Sequence, residues 1–132
     1  MSAAQDAKKV LFVGQVPESV DFSDPGLPPG FDAAKIHAGI AFAMAQMSAR
    51  GWHADLCLVA PDATAVPTLE RQLAAVRYDC VVIGGGLRIP APGLLLFERL
   101  VNAVHRSAPR AAIAFNTTPQ DTADAAARWF EG

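Results

Sequence analysis

Four short apolar runs, each followed by a segment of helical periodicity, restrict what this chain can fold into. The runs are Val10-Leu11-Phe12-Val13-Gly14, Ala54–Val59, Tyr78–Ile83 and Ala111–Phe115. They are nearly continuous in apolar residues, not alternating, as expected of strands buried on both faces. The first intervening segment runs from Asp32 to Arg50, with Ile36, Ile40, Ala43, Met44 and Met47 at helical spacing. Asp32 is a candidate N-cap and Gly51 a candidate stop. A second helix is expected across Leu69, Leu73 and Val76, starting near Thr64 to Pro67, and a third from Leu94 to about Ser107. The last opens at Thr118-Pro119-Gln120-Asp121 and ends near Phe130. Thr118 as N-cap, Pro119 at the first helical position and an acid two residues later form a strong start signal.

Strands alternating with helices imply a parallel sheet with helices on both faces. Right-handed crossovers leave 2-1-3-4 as the economical strand order. The expected fold is a three-layer α/β domain spanning residues 1–132. The helices after strands two and three share one face. The first and last share the other, with Trp129 and Phe130 closing the core.

A chain of 132 residues buries a core without needing disulfides or a metal. A net charge of −2 with scattered charges leaves no electrostatic footprint for nucleic acid. No apolar run approaches the ~18–20 residues of a membrane span. The polar start Met1–Asp6 lacks the apolar core of a signal peptide, so a cytoplasmic protein is expected. The stretch before the first strand is expected to fray. Cys57 and Cys80 sit mid-strand among Leu, Val and Ile, in strands separated by strand one, and read as small buried hydrophobes. No His, Cys or carboxylates stand at metal-ligand spacing. Neither a metal nor a cofactor is expected.

In open α/β sheets, ligands sit beyond the carboxyl ends of the strands, where the strand order reverses. Here that point lies between strands one and three. The loop Gly14–Phe31 and the loop Gly84–Gly93 meet there. The first has four prolines and three acids and is much longer than the ~2–6 residues usual for such connections. Phe22, Leu27 and Phe31 can anchor it as a lid or partner loop; a tolerated surface insertion is the alternative. Gly84-Gly85-Gly86 permits positive φ, and its amides could cradle an anion. It equally suits a tight strand exit. Gly84-x-Gly86 lacks the third glycine of a dinucleotide fingerprint, since Ile89 stands there. Arg88 could pair with a phosphate or carboxylate. Lys35 and His37 lie in the first turns of a helix whose N-terminus points at the same crevice. Gln15, Asn116 and Thr117 end strands one and four and offer hydrogen-bonding groups. The candidate ligand-binding set is therefore Gln15, Lys35, His37, Gly84, Gly85, Gly86, Arg88, Asn116 and Thr117. No catalytic residue is assigned.

The architecture resembles flavodoxin-like domains lacking a fifth strand. Response-regulator receivers carry acids after strand one and a phosphoacceptor Asp after strand three; this chain has Gly14-Gln15 and Gly84-Gly85 there. Flavodoxins carry a Ser/Thr-rich loop where this chain has Gln15-Val16-Pro17-Glu18. A closer resemblance is to a group of small bacterial proteins of unassigned function. It is carried by Val10–Gln15, Val20-Asp21-Phe22-Ser23-Asp24-Pro25, Lys35–Ile40, Tyr78–Gly84 and Ala112–Thr117. It implies a bacterial, cytoplasmic protein and brings no ligand or activity with it.

Three functions remain open on these grounds. The first is binding of a small anionic or nucleotide-like ligand at the carboxyl ends of strands one and three. The second is a homo-oligomeric interaction module, a homodimer in its simplest form. It rests on a second apolar stripe in the first helix (Ala38, Ala41, Phe42, Ala45, Ala49). The third helix adds to it, with Leu94, Phe97, Val101 and Val104 facing inward and Leu95 and Leu96 left over. The third is a hydrolase or transferase with His37 as acid or base, aided by Asp21 or Asp24.

Overall fold

The apolar runs become four parallel strands: β1 (Lys9–Gln15), β2 (His53–Val59), β3 (Cys80–Ile83) and β4 (Ala112–Phe115). They hydrogen-bond in the order β2-β1-β3-β4. The computed structural model describes residues 7–27, 29–88 and 93–130. The expected fraying before β1 falls mostly outside that range. Among the described residues four longer helices cover the sheet: α1 (Ala33–Ala49), α2 (Ala65–Ala75), α3 (Leu94–Ser107) and α4 (Thr122–Phe130). No helix among the described residues is long and apolar enough to cross a membrane.

Strand pleating sorts alternate residues into two cores. Leu11, Val13, Cys57, Val59, Val81 and Ile83 face α2 and α3, meeting Leu69, Leu73, Leu100, Ala103 and Val104. Val10, Phe12, Cys80, Val82 and Ala114 face α1 and α4, meeting Ile40, Ala43, Met47 and the alanines Ala123, Ala125 and Ala126. Each fully buried Val or Leu contributes about 1.5–3 kcal/mol, which explains why the strand sequences are apolar on both faces.

The ends of α1 are built as its sequence suggests, whereas the expected helix start at Thr118-Pro119 forms a 3-10 turn, Pro119–Asp121, and α4 begins only at Thr122. The Asp32 carboxylate accepts the Lys35 amide at the start of α1, and Gly51 takes φ 85° just past its end. Two inward faces differ from expectation. Leu94 is 59% exposed, because α3 turns Leu100, Ala103 and Val104 to the core, with Leu96 packed beside them; Leu95 is 56% exposed. Trp129 is 58% exposed and does not close the core. Phe130, four residues on from Ala126, takes the inward place and meets Trp52 edge-on, with ring centroids 5.2 Å apart.

Gly39 lets α1 approach the segment before α4. A Cβ there would stand 2.9 Å from Pro119 Cβ, closer than real carbon atoms approach. Gly39→Ala gains about 1 kcal/mol of helix propensity but forces a backbone shift costing about 1–3 kcal/mol. The variant is expected to unfold at lower urea concentration than the wild type; an unchanged or raised midpoint would contradict this packing.

Cys57 and Cys80 are buried on opposite faces of the sheet, with β1 between their strands. Burial, reinforced by the charge of Asp79, pushes the Cys80 thiol up to about 12. Burial likewise raises Cys57. In the unfolded chain a thiol ionises near ~8.5. The folded state is therefore the better proton holder, and its advantage is whole below that pH and lost as pH rises toward the folded value. Stability in urea is expected to fall between neutral pH and pH ~10. Cys80→Ala should flatten the fall, and a profile unaffected by the substitution would refute the assignment.

Candidate functional site

The order of strands reverses between β1 and β3, and a cavity of about 610 Å³ opens at their carboxyl ends. That volume lies in the range of sites for small organic molecules, about 300–1,000 Å³. Phe12, Gly14 and Gly84–Gly86 line it from the sheet, Lys35, Ile36, Ile40 and Phe42 from α1, and Asn116–Gln120 from the segment after β4.

The long loop after β1 supplies the remaining wall through Val20, Gly26, Leu27 and Phe31. It is folded by its own hydrogen bonds. Val16 N–H donates to Val59 O at 2.9 Å, and Pro17–Ser19 forms a 3-10 turn. The Gln15 amide donates to Ser19 O and Oγ at 3.2 Å. Asp21 accepts from Ser23 N–H and Oγ–H, and Asp24 from Gly26 N–H. Phe22 and Phe31 meet edge-on at 6.3 Å. Lys35 reaches across from α1, its Nζ donating to Gly30 O at 2.6 Å.

The glycine exit differs from the expected cradle. None of the three glycines takes positive φ; among the described residues that conformation falls at Gly30 and Gly51. Gly85–Arg88 instead forms one helical turn. Gly84 N–H donates to Val13 O at 2.8 Å, and a Cβ at Gly84 would press within 3.3 Å of the Phe12 ring. Gly85 N–H donates to Asn116 Oδ1 at 2.8 Å. Gly84 is thus a close-packing glycine. Gly86 faces open space, with nothing within 4 Å of where a Cβ would stand.

Asn116 is 1% exposed, and its Nδ2 donates to Thr122 Oγ1 at 2.9 Å, tying the exit of β3 to the start of α4. Thr117 and Thr118 turn their N–H groups onto the Asp121 carboxylate, which also accepts the Thr117 hydroxyl. Burial raises the Asp121 pKa, but these hydrogen bonds outweigh it and hold the carboxyl below the usual range.

Gln15, Lys35, Gly84, Gly85, Gly86, Asn116 and Thr117 therefore come together at one cavity. His37 does not line it. Its Nε2 lies 2.6 Å from Glu18 Oε2 on the exposed surface, and that hydrogen bond holds the Glu18 carboxyl below its ordinary range. The acids expected to serve His37, Asp21 and Asp24, bond within their own loop. The Arg88 side chain and residues 89–92 lie outside the described residues. The walls Phe12, Ile36, Ile40 and Phe42 carry no ligand signal in the sequence: the first three read as core residues, and Phe42 as part of the second apolar stripe of its helix. No group of three His, Cys or carboxylates that could hold a metal occurs among the described residues. No protein-family model, curated protein or solved structure matches the chain.

Proposed function

We propose that this protein binds a small ligand in the cavity at the carboxyl ends of β1 and β3. The observation that carries this reading is the loop from Val16 to Phe31. It is far longer than a β-to-α connection needs, and its own hydrogen bonds fold it into the outer wall of that cavity. A chain merely joining β1 to α1 has no need of such a wall. Lys35 and Gln15 stitch the loop to the body on either side. The buried free thiols suit a reducing compartment, in keeping with a cytoplasmic protein.

Saturation-transfer NMR with a chemically mixed fragment library is the direct test. Wild type should bind fragments, and Gly86→Val should abolish their signals, because a side chain at Gly86 enters unfilled space. At a ligand concentration 100-fold over Kd the wild type should gain about 2.7 kcal/mol of stability. Fragment binding that ignores Gly86→Val, or no binding at all, would remove this reading.

A second reading, self-association as a homodimer, is favoured by apolar surface. Phe42 is 48% exposed and sits in the α1 stripe of Ala38, Ala41 and Ala45, all exposed. Leu94 and Leu95 stand more than half exposed on α3. Analytical ultracentrifugation should give a dimer, and Leu95→Glu or Phe42→Glu should return it to a monomer. A wild-type monomer at tens of micromolar would dismiss it. Catalysis by His37 has less support, since its ring lies outside the cavity.

A further inference from the structure

We infer that the cavity takes a largely apolar, uncharged molecule and not a phosphate-bearing one. This rests on the small-ligand reading above and concerns the chemistry of the ligand alone.

A fold of this kind offers an anion three sets of N–H donors: the turn after β3, the first turn of α1 and the start of α4. Each is engaged in part by the fold itself. After β3, Gly84 N–H is bound to Val13 O and Gly85 N–H to Asn116 Oδ1. In α1, Lys35 N–H is bound to the Asp32 carboxylate and Ile36 N–H to Asp32 O. Before α4, the amides of Thr117 and Thr118 already hold an anion, the carboxylate of Asp121. A phosphate drawing on these bonded amides would have to displace hydrogen bonds that the fold itself uses.

Charge points the same way. The charged side chain among the described wall residues is Lys35, and its ammonium is bonded to Gly30 O. The loop forming the outer wall carries Glu18, Asp21 and Asp24, and the N-cap of α1 adds Asp32. Hydrogen bonds to Glu18 and Asp21 keep those carboxyls ionised to lower pH than usual. The wall-forming segment from Val16 to Lys35 thus carries four carboxylates against the single Lys35 ammonium, a balance that disfavours an approaching anion and leaves a neutral molecule unaffected. Phe12, Leu27, Phe31, Ile40 and Phe42 offer it aromatic and aliphatic contact.

The experiment compares indole and naphthol with adenosine monophosphate and inorganic phosphate by isothermal titration, at low and high salt. The neutral aromatics are expected to bind at least about tenfold more tightly than either phosphate compound. Their affinity should be insensitive to salt. Gly86→Val should abolish the binding. Phe42→Asp, at a half-exposed wall position that tolerates polarity, should weaken it in a protein that keeps its circular dichroism spectrum. If the phosphate compounds bind in a Gly86-dependent way and the aromatics do not, this inference falls while the small-ligand reading stands. If no probe binds and the fragment library also fails, both fall.

Discussion

One buried side chain holds the carboxyl end of this sheet in shape. Asn116 takes the Gly85 amide with its oxygen and gives an N–H to the Thr122 hydroxyl. It thereby joins the exit of β3, the exit of β4 and the first turn of α4. A buried amide left without partners costs about 1–3 kcal/mol, so these three pieces are held to one arrangement. The cavity floor follows from it. Gly85 is drawn toward Asn116, the chain enters a helical turn, and Gly86 is left facing open space.

The same economy governs the other walls. Gly39 admits Pro119 against α1, which brings the segment after β4 against the helix that carries Ile36, Ile40 and Phe42. The loop after β1 closes the remaining side, held by a backbone bond to Val59, by Gln15 and by Lys35. Gln15, Lys35, Asn116 and the Thr117 and Thr118 amides are spent on holding the cavity walls. What they leave for a ligand is chiefly apolar surface. Phe42 belongs to both the cavity wall and the exposed stripe of α1, so the two proposed readings, ligand binding and self-association, draw on one helix.

Much of the fold was legible because burial on two faces writes itself into composition. A strand flanked by helices on both sides has no polar face, and the runs at Val10, Ala54, Tyr78 and Ala111 read accordingly. Caps were legible for a related reason: Asp32 and Asp121 answer unpaired amides within three or four residues, and local bonds leave local patterns. Trp129 and Leu94 were not legible. Periodicity locates a helical face only to within a neighbouring stripe, and the sheet decides which stripe it covers.

The candidate site divides along the same line. Its position was determined by the sequence alone, because strand order and the length of the loop after β1 are properties of the chain's pattern. Its chemistry was decided only in three dimensions. The glycine triplet suggested an anion cradle, yet Asn116, thirty-one residues from Gly85, claims one of its amides. His37 suggested a ligand group, yet it turns outward to Glu18. Whether a donor is free for a ligand depends on what distant residues have already bonded, and a linear sequence does not display that.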